Sequence, residues 1–442
     1  MIDQLGSNRR SSADSVALMI PVPTSTASTF EVVLACGPDT EPIVLCVRAS
    51  FIDRQISPTA FETLVCAVSS TVRLGPPLNG GGVIAAVPYP GRGQRVQRRP
   101  RFKLASVTGW QPDVLPGYWQ LTIPLGDDPD GEGDIDATLL RRGDAAPAAD
   151  AVVAVHGYTD YFFHTALADH FAGRGVAFYA LDLRKCGRSS RSGLTPHFTT
   201  DLACYDRELD RALEIIGEET GSARVLVYGH SAGGLIVSLW LDRMRQRGAT
   251  TRNRVAGLVL NSPFLDLPGP MPLRWPPTRA LIAAIARFGD KRVARGPSET
   301  GGGYGASLHR DYHGEFDYDL QWKPLGGFPI TFGWLSAVRR GQTKLHRGLD
   351  VGVPNLILRS DHSVIEGSDA IALQCGDAVL DVKHIARWAG CVGNRSTIVP
   401  VVDAKHDVFL SMPQPRQVAY QQLDSWLDDY LGAASNVASR NG

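Results

Sequence analysis

Ser231 lies in the run Tyr228-Gly229-His230-Ser231-Ala232-Gly233-Gly234, directly after the apolar Val225-Leu226-Val227 and before the helical stretch Leu235 to Leu241. A serine between two glycines at a strand-to-helix turn is set up for nucleophilic chemistry. The sharp turn projects the hydroxyl from the strand end, and Gly229 and Gly233 are small where the two backbones crowd together. A serine hydroxyl is a weak nucleophile at neutral pH and needs a base, usually an imidazole, oriented by a carboxylate. On a parallel sheet these partners follow in the order Ser, acid, His, each past the carboxyl end of a strand. The buried run Asn355 to Leu358 is followed by Asp361, and the run Ile398 to Val402 is followed by His406. Of the 11 histidines, His406 alone falls after the final strand and before a C-terminal helix. His406 is therefore the expected base and Asp361 the expected acid. Asp381 is the runner-up, with Asp369 and Asp377 also nearby, whereas Asp403 and Asp407 flank His406 in directions that suit neither for holding it.

Acyl transfer also needs two backbone N–H donors for the oxyanion. The expected donors are Ala232, next to the nucleophile, and Tyr158, in the turn His156-Gly157-Tyr158 after the first buried strand. Phe162 and Phe163 follow that turn and suit an acyl pocket, although either would equally pack the next helix. Tyr304 and Trp334, further along, are candidates for the same pocket.

The elements that must position these residues are legible from about Trp110 onward. Tyr118 to Pro124 and Ile135 to Leu140 alternate like half-exposed strands. Ala151 to Val155, Val176 to Leu181, Val225 to Val227, Val255 to Leu260, Asn355 to Leu358 and Ile398 to Val402 are nearly continuous apolar runs, as suits strands buried on both faces. Helical patterns separate them. One, opened by Thr200-Asp201, places Leu202, Tyr205, Leu209, Leu213 and Ile216 on one face, and another places Leu423, Trp426, Leu427, Tyr430 and Leu431 together. The alternation specifies an α/β architecture with a mostly parallel, eight-stranded sheet, helices on both faces and the site at the strands' carboxyl ends. A stretch rich in Pro, Gly and aromatic residues, about 264–349, interrupts the rhythm as a cap insertion. Residues 1–105 read differently: short apolar runs (Phe30 to Leu34, Ile43 to Val47, Phe61 to Val68) precede a basic stretch from Gly91 to Lys103 read as a solvated linker. The expected division is a 1–105 extension of unknown fold, a 106–434 catalytic domain able to fold from about Ser106, and a disordered 435–442 tail.

Composition narrows the class. The chain has 442 residues, 43% hydrophobic and 20% charged, with a formal net charge of zero, which gives it no pull toward nucleic acid. Its 7 cysteines lack disulfide or metal-ligand spacing, which suits a reducing compartment. The start Met1-Ile2-Asp3-Gln4 lacks a signal-peptide pattern, and no apolar run approaches the roughly 18–20 residues of a membrane span. The expectation is a cytoplasmic protein. His309 and His313 have a spacing that suits a metal only on a helix, which the surrounding Gly and Tyr disfavour. Neither a phosphate loop nor a dinucleotide fingerprint is present, so no cofactor is expected.

From about residue 107 to 432 the chain resembles the α/β-hydrolases, and within them the serine aminopeptidase S33 domain group with its lysophospholipase-like and monoacylglycerol lipase-like enzymes. The matching pieces are His156-Gly157-Tyr158, Asp182 to Ser189, Gly229 to Gly233, Arg359-Ser360-Asp361 and Lys405-His406-Asp407. The second piece usually reads D-x-R-G-x-G-x-S; Lys185 and Cys186 depart from it. The resemblance implies a cofactor-independent serine hydrolase cleaving carboxylic esters, small-molecule or lipid, through an acyl-enzyme. An aminopeptidase or amidase would use the same triad and would need an acidic amine pocket, for which Glu315, Asp317 and Asp319 are candidates. A non-catalytic binding protein on a hydrolase shell is the alternative from another class.

Overall fold

The computed structural model describes residues 109–429 except Ser222, 299–302 and 365–368, together with the backbones of two strands nearer the N-terminus. The chain divides into two compact units, Met1–Arg98 and Arg99–Gly442. In the first, β1 (Thr29–Leu34) and β2 (Ile43–Arg48) pair antiparallel, Thr29 opposite Arg48 and Leu34 opposite Ile43. The Phe61 to Val68 run, the basic stretch and the 435–442 tail lie outside the described residues.

The second unit runs β3 (Gln111–Pro112), β4 (Tyr118–Asp127), β5 (Asp134–Arg142), β6 (Asp150–Val155), α1 (Thr165–Gly173), β7 (Ala177–Asp182), α2 (Asp206–Thr220), β8 (Arg224–His230), α3 (Ala232–Gln246) and β9 (Val255–Asn261). It continues with α4 (Pro276–Phe288), β10 (Val293–Arg295), α5 (Gly303–Leu308), β11 (Ile330–Thr331), α6 (Phe332–Leu345), β12 (Asn355–Ser360), α7 (Val382–Trp388), β13 (Ser396–Val401) and α8 (Pro413–Leu427). The main sheet has the order β13-β12-β9-β8-β6-β7-β5-β4-β3. The six strands from β13 to β7 are mutually parallel, and β5, β4 and β3 close one edge antiparallel. The ninth strand, beyond the eight expected, is the two-residue β3. Two residues carry no periodicity, so the sequence offered no sign of it.

Alternation within each parallel strand fills two cores. In β6, Val152 and Ala154 face α1 and α8, packing with Leu167, Phe171, Leu423 and Trp426. Ala151, Val153 and Val155 face the other way, toward Leu209, Leu213, Leu235 and Trp240 of α2 and α3. Such a strand reads as continuous apolar sequence because both of its faces are dry. Asp201, the expected cap, accepts from Ala203 N at 3.0 Å and opens a short 3₁₀ turn, Leu202–Tyr205, which leads into α2. Tyr430 and Leu431 lie outside the described residues.

The excursion between β9 and β12 carries α4, β10, α5, β11 and α6. Along the sheet, β6 is flanked by β7 and β8, so the order in which successive strands are added reverses at β6. That reversal is where parallel α/β sheets open a crevice at their carboxyl ends.

Candidate active site

Ser231 sits in that crevice at φ 51° and ψ −118°, a backbone conformation that β-branched and bulky residues avoid. The strain is maintained by packing. A Cβ on Gly233 would come within 2.3 Å of the His156 carbonyl oxygen and 2.6 Å of that of Val155, so α3 could not lie against the end of β6. A Cβ on Gly157 would stand 3.0 Å from that of Ser231, which places the turn after β6 directly beside the serine's side chain. Tyr158 and Ala232 flank Ser231 from these two turns. The Tyr158 hydroxyl donates to Pro329 O at 2.6 Å, and its ring lies 4.1 Å from that of Trp334.

His406 is buried, and its Nδ1 is 2.9 Å from Oδ2 of Asp377, which is fully buried. The expected acid, Asp361, is elsewhere. Its Oδ1 accepts from His362 Nδ1 at 2.8 Å and from the Asp403 amide at 3.0 Å, at the exposed ends of β12 and β13. Burial pushes the Asp361 carboxyl up, but the His362 and Asp403 contacts outweigh it and hold the group below the usual aspartate value. This arrangement has a physical reason. After Asp361 the chain makes an excursion and returns, so that Ser363 and Asp377 form a parallel bridge, with Val364 N to Asp377 O at 2.9 Å and Asp377 N to His362 O at 3.1 Å. The returning segment extends the sheet end and brings Asp377 to His406. The other carboxylate oxygen, Oδ1, accepts from the amides of Val379 and Leu380, both at 2.8 Å, which fixes the side chain. Gly376 permits the return, since a Cβ there would meet Val364 Cγ1 at 2.6 Å. The runner-up Asp381 caps α7 through Lys383 N, and Asp369 accepts from the Ala372 amide.

Asn261, at the end of β9, makes a connection that sequence reasoning missed. Its carbonyl accepts from Ser231 N at 2.9 Å, its Nδ2 donates to Asp407 Oδ1 at 2.6 Å, and its Oδ1 accepts from Val408 N at 3.1 Å. One buried residue thus joins the Ser231 turn to the His406 loop. It reads as the last residue of an apolar strand, and no local pattern marks it.

The cap approaches from above. The Tyr304 ring stands edge-on to His406 at 5.4 Å, and its hydroxyl accepts from the Asp407 amide. Lys405 is buried beside His406 and donates from Nζ to Ser307 O at 2.7 Å; burial brings its ammonium down to about 8. A buried pair, Lys323 Nζ to Asp160 Oδ1 at 2.7 Å, ties the cap to the turn after β6, and Asp160 Oδ2 lies 3.2 Å from His230 Nδ1. Burial alone would push Asp160 up, yet Lys323 and His230 hold it far below the normal range.

Phe162 and Phe163, the expected acyl-pocket residues, are both buried. Phe162 packs between Tyr118 and Phe178 in the core, and Phe163 against Tyr161 and Tyr318. Both border a cavity of about 40 Å³, together with Asp160, His164, His230 and Asp407. Trp334, on the first turn of α6, lies between Tyr158 and Phe264. The acidic cap residues are committed at the surface, with Glu315 on Arg416 and Asp317 on Arg310. His309 is buried against Tyr318, beyond the end of α5, whereas His313 is exposed. Lys185 takes φ 61°, which explains why glycine is usual at its position. Its buried ammonium compensates by pairing with Asp128 at 2.6 Å and Glu132 at 2.9 Å.

The sheet order and the strained turn at the end of β8 define an α/β-hydrolase. The family model for serine aminopeptidase, S33, matches residues 146–365, which places this unit in that family. The match spans the Ser231 turn and stops short of Asp377 and His406. No curated protein matches the chain in sequence. Among solved structures, a soluble variant of monoglyceride lipase from Saccharomyces cerevisiae is similar at 16% identity, covering 74% of this chain and 96% of that one with a TM-score of 0.47. A thermostable carboxyl esterase from Bacillus coagulans is similar at 12% identity, covering 70% and 98% with a TM-score of 0.48.

Proposed function

We propose that the protein is a serine hydrolase that cleaves carboxylic esters, with Ser231 as nucleophile, His406 as base and Asp377 holding the imidazole. The observation that carries the reading is the buried Asp377–His406 hydrogen bond, linked through Asn261 to a serine on a strained turn. In this mechanism His406 takes the Ser231 proton as Oγ attacks the ester carbonyl. The Tyr158 and Ala232 amides then stabilise the oxyanion. Collapse expels the alcohol, which takes the proton from His406, and water attacks the acyl-enzyme by the same route. Asp377 keeps the Nδ1 proton in place, so Nε2 is the atom that takes the Ser231 proton and hands it to the leaving alcohol.

Aromatic rings beside His406 (Tyr304) and Tyr158 (Trp334) support an apolar acyl group, as in a lysophospholipase-like or monoacylglycerol lipase-like substrate. The commitment of Glu315 and Asp317 to surface ion pairs disfavours an amine-binding aminopeptidase pocket. The test is fluorophosphonate labelling followed by p-nitrophenyl esters of increasing chain length. The parent should be labelled and should prefer longer acyl groups. Ser231→Ala should lose labelling and about 10⁶-fold in kcat while melting normally. Turnover by the alanine variant at the parent rate would contradict the mechanism.

A further inference from the structure

The cap helix α4 has its apolar side outward. Pro277, Leu281, Ala284 and Phe288 fall four, three and four residues apart, which puts them on one helix face. All four are exposed, Leu281 by 45% and Phe288 by 84%. The opposite face is the one the protein uses: Ile282 is buried, and Arg279 Nη1 donates to Thr343 Oγ1 of α6 at 2.8 Å. The apolar stripe is extended by Met271, exposed by 64%, and by Trp275 at one end and Val293 at the other. A helix packed through its more polar face, with its apolar face in water, presents a surface for something else.

Charge indicates what that is. Between Met271 and Gly296 stand Arg274, Arg279, Arg287, Lys291, Arg292 and Arg295 against a single acid, Asp290. Arg287, Lys291, Arg292 and Arg295 are exposed beside the stripe. Arg287 and Arg292 make no ion pair among the described residues, whereas Lys291 reaches Glu132 at 2.7 Å. Exposed aromatic and aliphatic side chains ringed by cations on a helix match an interfacial anchor on negatively charged lipid. We propose that α4 docks the protein on an anionic bilayer surface, with Phe288, Leu281, Met271 and Trp275 entering the headgroup region and the arginines resting on lipid phosphates. The helix packs on α6, whose Trp334 touches Tyr158, so docking would set the Ser231 crevice next to the lipid. Docking stands independently of the ester reading, because it is measured without turnover.

The full-length protein should co-sediment with phosphatidylcholine vesicles containing phosphatidylglycerol, and much less with phosphatidylcholine alone. Added salt should weaken the association. Leu281→Glu with Phe288→Glu should reduce partitioning more than about tenfold. Arg287→Gln with Arg292→Gln should reduce it about 25-fold, or about fivefold per cation. Both double variants should keep the parent's melting temperature and its turnover of soluble p-nitrophenyl acetate, since neither touches the catalytic groups. The proposal fails if the parent does not sediment with anionic vesicles, or if the variants sediment as the parent does. It also fails if light scattering shows a parent dimer that Leu281→Glu with Phe288→Glu converts to monomer, because the face would then belong to a second copy.

Discussion

The turn after β8 and the loop after β12 each deliver one member of the proposed triad, and they do so by different physics. The first is local. Ser231 is held at φ 51° by backbone crowding among residues adjacent in sequence or on the neighbouring strand, and glycine is the only residue that fits at position 233. The second is tertiary. Asp377 reaches His406 because the chain leaves β12, travels, and returns to bridge Ser363. A nucleophile fixed by steric exclusion leaves a signature in sequence. An acid delivered by a returning loop leaves only a carboxylate among several others.

The largest expected effect comes from breaking the local half. Gly233→Val puts branched carbon where the His156 carbonyl already stands, and overpacking of rigid backbone costs about 3 kcal/mol or more. The variant should lose fluorophosphonate labelling together with cooperative melting, whereas Ser231→Ala should lose labelling alone. Normal melting and labelling by Gly233→Val would show that the turn is not sterically fixed.

A smaller effect is expected where the two halves meet. Asn261→Ala removes the buried amide that bonds Asp407 and Val408 but leaves the backbone bond to Ser231 in place. Stranding those partners should cost about 1–3 kcal/mol. If Asn261 aligns the histidine's loop, kcat should also fall by roughly 10- to 100-fold with KM for short esters little changed. A stability loss with unchanged kcat would mean that Asn261 serves the fold alone.

These contrasts explain what was legible. The eight longer strands, the two buried faces of the parallel set and the placement of Ser231 and His406 after β8 and β13 follow from apolar runs and a strand–turn–helix pattern. Asp377 did not, because Asp361, Asp369, Asp377 and Asp381 are equivalent to a reader of spacing, and their separation depends on which one the return path buries. The burial of Phe162 was hard to foresee for a related reason. An aromatic beside a catalytic turn can face the site or the core, and the bond from its amide to Asp182 Oδ1 at 2.8 Å accompanies the inward choice. Asn261 was silent because a buried amide at a strand end has no periodicity of its own.

The smallest effect at neutral pH lies away from both halves, at the acidic turn that compensates for Lys185. Burial raises the Glu132 carboxyl, but bonds from Lys291, Thr195 and Lys185 outweigh it and bring the group down to about 2. A carboxylate whose folded value is depressed contributes stability that is present above its unfolded value near 4.5 and is lost as pH falls toward 2. Glu132→Gln should therefore flatten the decline of melting temperature across that window. An unchanged acid limb would remove Glu132 from the account.

The central claim is that the returning loop, and not the strand end, supplies the acid. The direct measurement is kcat for Asp377→Asn and Asp361→Asn on a soluble ester, with melting temperatures for both. Asp377→Asn should lower kcat about 10³- to 10⁴-fold, because the imidazole loses its correct tautomer. Asp361→Asn, which alters only exposed contacts with His362 and the Asp403 amide, should stay within about fivefold of the parent. The reverse ranking would return the role to Asp361 and contradict the account.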